Sequence, residues 1–171
     1  MTRRYAAAVV LLLLVWSACV AAEVNGSRAA IGTGEDQITV LYLRGTPYEM
    51  GYAHGRLAKA EVAAFCEKVV SAMLAGSGAE MGQLDAAWKA MEPFVPQAYL
   101  EEMRGLADGA GIPLQAVQRV HAVPDLSEYH CTFFAAHSRA TTNGHLIQIR
   151  ALDYATEAHI QDHPAIIVYH P

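Results

Sequence analysis

The stretch from Cys131 to Asp153 constrains the fold more than any other. Two apolar-rich runs flank Thr141-Thr142-Asn143-Gly144. Asn-Gly is a strong short-range turn signal because both residues tolerate positive φ. The stretch reads as a β-hairpin, opened by a cysteine and closed by the spacing Arg150-x-x-Asp153. Two registers are open. With Asn143 and Gly144 alone at the centre of a tight turn, Cys131 faces Thr156 and Arg150 lies far from it. With a longer loop over Ala140 to Asn143 and Gly144 at the left-handed position of a G1-type bulge, Arg139 faces Gly144, Phe133 faces Arg150 and Cys131 faces Leu152. The second register makes Arg150 the diagonal neighbour of Cys131 on one face, at roughly 7–8 Å. Asp153 follows where the strand runs out, so its direction depends on a local bend. A thiol, a guanidinium and a carboxylate at one hairpin rim form a nucleophile site in which the cation favours thiolate over thiol. The same residues also fit a strand-end cysteine beside a surface ion pair.

The chain has 171 residues, enough for one domain with a real core. Its net charge of −5 gives no basis for nucleic acid or an anionic membrane as a partner. Hydrophobic residues make up 53%, and part of that excess sits at the N-terminus. There, Arg3 and Arg4 precede an unbroken apolar run, Ala6 to Trp16, that is too short for a comfortable membrane span. Val20-Ala21-Ala22 supplies small residues for cleavage before Glu23. Residues 1–22 therefore read as a secretory signal peptide, with an exported periplasmic or extracellular product. Trp16 occupies the place where a lipoprotein signal carries an aliphatic residue, three before Cys19, so lipid anchoring is not expected. Of the three cysteines, Cys19 leaves with the signal, Cys66 falls in a helical run and Cys131 opens the hairpin. Two remaining cysteines make no disulfide framework. A single Cys66–Cys131 bridge is open to an oxidising compartment, and it would silence the nucleophile.

Residues 23–36 are rich in Gly, Ser and Ala and read as a flexible lead-in. Ile38 to Leu43 reads as a strand. Thr46, Pro47 and Glu49 form a capping box with proline at its favoured first position, which predicts a helix from Pro47 to about Ala75. Gly51 and Gly55 lie four apart on that helix, each costing about 1 kcal/mol against alanine, so another backbone is expected to approach there. His54 between them reads as a structural histidine. Helices follow around Met81 to Met91, from Pro96 with Ala98, Tyr99, Met103, Leu106 and Ala107 facing inward, and from Pro113 to His121. Ala122 to His130 reads as a loop, and Ala165 to Tyr169 as a buried strand. Strands are few for the sheet they must build, so the C-terminal half reads as an unfinished fold, from a truncated reading frame or a fragment.

Three motifs in order resemble one known family. Gly45-Thr46-Pro47-Tyr48-Glu49-Met50-Gly51-Tyr52-Ala53-His54-Gly55 is similar to the N-terminal signature of the C45 autoproteolytic acyltransferases and hydrolases. These are relatives of acyl-CoA:6-aminopenicillanic acid acyltransferase. The run from Glu101 to Gly111 resembles the second signature, a helix ending in Gly-Ala-Gly. Cys131-Thr132 and Arg150-Ala151-Leu152-Asp153 resemble the nucleophile strand and the Arg-Asn-Leu-Asp element, with Ala151 in the asparagine's place. Bile salt hydrolases and penicillin V acylases share the arrangement. The resemblance implies an α+β fold, the αββα sandwich of the N-terminal-nucleophile (Ntn) hydrolases, incomplete in this chain. It divides the mature chain into a helical part, 37–130, and the start of a catalytic part, 131–171. It further implies self-cleavage between His130 and Cys131, an α/β heterodimer, and amide hydrolysis or acyl transfer through a thioester on Cys131. The Cys131 α-amine, ordinarily near pKa ~8, would be the base for its own thiol. Arg150 would steady the thiolate or a substrate carboxylate, and Asp153 would orient the α-amine. The substrate would be a small amide or acyl donor, with no cofactor and no metal. Oxyanion-hole side chains would lie downstream of Pro171.

Two other readings compete. Seven of the eight histidines lie at or after His121, and His159 and His163 stand four apart with Asp162 between them, a metal-like spacing if helical. His163-Pro164 works against a helix there. The chain could alternatively be an exported binding protein that keeps the fold without the chemistry.

Overall fold

The computed structural model describes residues 24–126, 131–153 and 156–171. The signal-peptide segment and His130 lie outside the described residues. The fold class is α+β. Strands β1 (Gly26–Ile31), β2 (Ile38–Arg44) and β5 (Ala165–His170) form one sheet, and β3 (Cys131–Ser138) pairs with β4 (Gly144–Leu152) in a separate hairpin. Helices α1 (Pro47–Leu57), α2 (Lys59–Ser77), α3 (Met81–Met91), α4 (Gln97–Ala110) and α5 (Leu114–Ala122) lie between β2 and β3 in the chain. Among the described residues, no single helix is long and apolar enough to cross a membrane.

Helix α1 starts where the capping box requires. The Thr46 amide donates to the Glu49 carboxylate at 2.8 Å, and the Glu49 amide donates back to Thr46 Oγ1 at 3.3 Å. Its glycines then do what their spacing implies. A methyl on Gly51 would strike the Glu102 carbonyl, and one on Gly55 the Leu106 carbonyl. The partner helix contributes two glycines of its own: Gly105 lies on the Tyr48 carbonyl and Gly109 on that of Tyr52. Partner numbers rise together, so α1 and α4 run side by side in the same sense, backbone against backbone. The Tyr48 hydroxyl spans the same seam, donating to Asp108 Oδ2 at 2.8 Å.

The single long helix expected from Pro47 is broken. It ends at Leu57, turns at Ala58 (φ −126°, ψ 37°) and restarts as α2 at Lys59. No glycine or proline marks the break; tertiary packing imposes it. α1 buries Met50 and Ala53 in a core with Leu41 and Leu43 of β2. α2 buries Cys66, Val69, Val70 and Met73 in a second core with Leu84, Trp88, Met103 and Val117. One straight helix does not serve both. Arg28 of β1 closes the gap. Its Nη1 donates to the Leu57 carbonyl at 2.9 Å, and its Nη2 meets Glu61 of α2 at 2.6 Å. Across the second core, Arg119 of α5 grips Asp85 of α3 with two bonds of 2.7 and 2.8 Å.

Three further expectations are corrected. The presumed flexible lead-in, residues 23–36, carries β1, which pairs antiparallel with β2 from Gly26↔Leu43 to Ile31↔Ile38. On α4, Ala98 is exposed and Tyr99 is 60% exposed, because the turn after Pro96 projects from the core; Met103 and Ala107 are buried as expected, with Leu100 partly buried against them. Strand β5, expected to be buried, is half open, with Ile166 44% and Tyr169 43% exposed. Among the described residues it has one sheet neighbour, β2, which it joins in parallel from Thr39↔Ala165 to Arg44↔His170.

The four-glycine seam makes a prediction with an internal control. Gly51→Ala should lower stability by about 1–3 kcal/mol, the usual cost of an oversized group in a packed contact. Gly76→Ala, on a part of α2 with open space around its Cβ position, should instead stabilise by up to about 1 kcal/mol through helix propensity. Urea unfolding followed by circular dichroism reads both; equal signs would refute the seam.

Candidate active site

The hairpin adopts the longer-loop register. Cys131 pairs with Leu152 and Phe133 with Arg150, and Gly144 takes the left-handed conformation (φ 73°) expected at the bulge. One detail differs. Ser138, not Arg139, faces Gly144, and the ladder shifts between Ala136 and Ser138. Ser138 itself turns left-handed (φ 55°), and Asn143 Oδ1 caps the loop by accepting from the His145 amide at 3.1 Å.

Strand alternation now decides which side chains meet. Cys131, Phe133, Arg150 and Leu152 share one face. Arg150 Nη2 donates to the Cys131 sulfur at 3.1 Å, so the diagonal pair is in direct contact. Asp153 takes the other parity and turns toward Thr132, whose Oγ1 donates to Asp153 Oδ2 at 3.2 Å. The expected partner of Asp153 was the α-amine of Cys131; Thr132 holds the carboxylate, beside the same strand end. Thr132 is the functional candidate that sequence reading passed over. Its signal was its place directly after the cysteine, at the first residue whose side chain can reach across to Asp153. His130, the other side of the expected cleavage point, lies outside the described residues.

Cys131 is exposed and unbridged, and so is most of the hairpin: Phe133 is 60%, Phe134 62% and Ile149 61% exposed. Cys66 is its opposite. It is buried on α2 and free, and burial pushes its thiol up to about 11. The Cys66–Cys131 bridge left open by the sequence is not formed.

The histidines resolve into separate roles. His54 on α1 is drawn below the ordinary imidazole range by burial, against a smaller opposing pull from Glu102. His159 Nδ1 contacts Asp162 Oδ2 at 2.9 Å across two short 3-10 turns rather than along a helix, while the His163 Nε2 is buried without a partner. Among the described residues no three His, Cys, Asp or Glu side chains converge as a metal site requires, so the metal-like spacing at residues 159–163 does not translate into a ligand set.

No protein-family model matches the chain. It is similar to two curated proteins of Dictyostelium discoideum. Protein dcd1B is 36% identical over 89% of this chain and 35% of its own length. Protein dcd1A is 30% identical over 85% of this chain and 38% of its own length. An uncharacterized protein of Archaeoglobus fulgidus is 39% identical over 50% of this chain and 15% of its own. The chain thus spans a little over a third of the length of the two Dictyostelium proteins it matches.

Proposed function

We propose that this chain carries the nucleophile-bearing part of an exported Ntn-type cysteine amidohydrolase or acyltransferase, of the C45 kind, acting on linear amides. The observation that carries the reading is the Arg150–Cys131 contact, 3.1 Å between guanidinium and sulfur at an exposed strand end. Of the two described cysteines, only Cys131 combines access with a cation; Cys66 is buried with its thiol held protonated. The three sequence motifs support the αββα sandwich as the architecture to which these helices and strands belong.

The chemistry proceeds in two stages. In the precursor, the Cys131 sulfur attacks the His130 carbonyl carbon. The new S–C bond forms, the C–N bond between the residues breaks, and the thiol proton passes to the departing amine. Water then hydrolyses the thioester, leaving a His130 carboxylate and restoring the thiol beside a free α-amine. In the second stage that amine takes the thiol proton, the thiolate attacks the substrate carbonyl, and the substrate amine leaves with the proton. Water or an acceptor amine releases the acyl group. Arg150 holds the sulfur as negative charge builds on it, and Asp153, steadied by Thr132, stands ready for the ammonium that appears on cleavage.

Cutting before β3 would not free the second piece. β5 belongs to it and lies in the same sheet as β2 of the first. The Tyr169 hydroxyl also donates to Glu102 Oε1 of α4 at 2.6 Å. The two products stay paired as one α/β unit.

Intact mass of the denatured native protein tests self-cleavage. One chain ending at His130 and one beginning at Cys131 are expected, and Cys131→Ala should remain uncut. A folded wild-type protein with the bond intact would leave a non-catalytic binding protein as the better reading. Arg150→Gln should fold and slow cleavage by about 10²-fold, the usual scale for removing a group that stabilises developing charge.

Thiol accessibility gives a second test. Iodoacetamide at pH ~8 should alkylate Cys131 and spare Cys66, since alkylation needs thiolate and access. Because the Cys66 thiol is pushed up to about 11, its labelling should rise only on unfolding, as peptide mapping with and without urea would show.

A further inference from the structure

A cavity of about 500 Å³ lies between the β1–β2–β5 sheet and the helices, beside the break at Ala58. No hairpin residue lines it, so it is separate from the Cys131 site. Its wall is mainly apolar, with Leu41 and Ile167 from the sheet, Phe65 from α2, and Val117 and Val120 from α5. The volume falls in the range of small-molecule pockets.

The fixed charges on this wall do not cancel. Arg28, Glu61 and Asp162 all line it. Arg28 is committed: its guanidinium meets Glu61 at 2.6 Å and donates to the Leu57 carbonyl at 2.9 Å and to Thr39 Oγ1 at 3.2 Å. The hydrogen bond from Arg28 holds the Glu61 carboxyl below the usual carboxylate range. Asp162 has no such cation. Among the described residues its carboxylate meets only an imidazole, with His159 Nδ1 at 2.9 Å from Oδ2. The Asp162 side chain is 35% exposed, so solvent reaches it. The other ionisable groups of the wall add no fixed positive charge. Burial draws His54 below the ordinary imidazole range and pushes the Cys66 thiol up to about 11. His121 and His163 are imidazoles, a group without charge above its ordinary range. At pH ~8 the wall therefore holds two carboxylates against one guanidinium.

We infer that this cavity binds a cationic amphiphile, an alkyl or arylalkyl chain ending in an ammonium, with the chain against Leu41, Phe65 and Val117 and the head at the Asp162 carboxylate. The chain replaces water on the apolar wall. The ammonium gives Asp162 the cation that the wall does not supply, through a charge-assisted hydrogen bond. Because Asp162 stays open to solvent, the head keeps part of its hydration, and the gain over an uncharged head is modest. An anionic head fits worst. Two carboxylates stand on the wall, and the one guanidinium is already held by Glu61.

Isothermal titration calorimetry of the whole protein with n-octylammonium, n-octanol and octanoate at pH ~8 tests this. Octylammonium should bind saturably at one site, about fivefold more tightly than octanol, with octanoate weakest. Asp162→Asn should bring octylammonium down to the affinity of octanol and leave octanol itself unchanged. Val120→Phe fills the cavity from the helices and Ile167→Phe from the sheet, and either one that melts like wild type should abolish binding of all three. Octanol or octanoate binding as tightly as octylammonium, absence of saturable binding, or an Asp162→Asn protein that keeps its preference for the ammonium would each overturn the proposal. So would unchanged affinity in a folded cavity-filled variant. Cys131→Ala should bind octylammonium unchanged, which separates this site from the catalytic reading.

Discussion

Everything in the helical half hangs on the contact between α1 and α4. Four glycines, Gly51, Gly55, Gly105 and Gly109, bring the two backbones so close that an alanine at any of them overlaps a carbonyl or amide of the other helix. At that distance the carbonyls of one helix meet the Cα hydrogens of the other, contacts that recur where helices pack through small residues. The intrinsic cost of four glycines in helices is several kcal/mol, about 1 each. The fold keeps them because the seam orients both flanking layers. On one side α1 delivers Met50 and Ala53 to the sheet. On the other, α4 delivers Met103 and Ala107 to the helical core. With α1 so committed, the chain must bend before α2 can follow, and Arg28 takes up the carbonyl and carboxylate at that bend.

From this frame the sheet is positioned, and through the sheet the C-terminal segment. β5 reaches the frame by its ladder with β2 and by the bond from Tyr169 to Glu102 on α4. Glu102 also sits where its carbonyl touches Gly51. The helical seam and the contact that ties β5 to α4 therefore share a residue. The hairpin stands apart from this economy. Its register rests on its own turn and bulge, and both of its faces expose large apolar side chains, Phe133 on one and Phe134 with Ile149 on the other. A two-stranded ribbon with such faces is only marginally stable in water on its own. Cys131 is thus carried on the element least supported by the cores described here.

Much of this was legible in the residues because it was local. Asn143-Gly144 signalled the hairpin, and parity arguments then placed Arg150 beside Cys131 in one of two registers. The capping box marked the start of α1, and the spacing of Gly51 and Gly55 announced a close partner. What could not be read was set by contacts distant in sequence. The bend at Ala58 has no local signature; it follows from two cores pulling one apolar run in two directions. β1 looked like a linker because Gly26 to Ile31 is short of bulky β-formers, yet its backbone pairs with β2 from Ile38 to Leu43. Gly26 is needed there, since a side chain would strike the Tyr42 carbonyl. The direction of Asp153 depended on a bend after Leu152, and its partner, Thr132, became visible only once the register was fixed.

What separates Cys131 from Cys66 is surroundings rather than residue type. Both are free thiols. Cys66 is packed among Val69, Val70 and Met73 on a helix, where a charge would be stripped of water with nothing to replace it, and its thiol is pushed up to about 11. Cys131 stands at the first residue of an exposed strand with a guanidinium 3.1 Å from its sulfur. The sulfur there has water on one side and a cation on the other. The exposure that makes the hairpin a weak structural element is the same property that leaves its sulfur open to solvent. A better-buried hairpin would be more stable, and it would shut its thiol off from water as Cys66 is shut off.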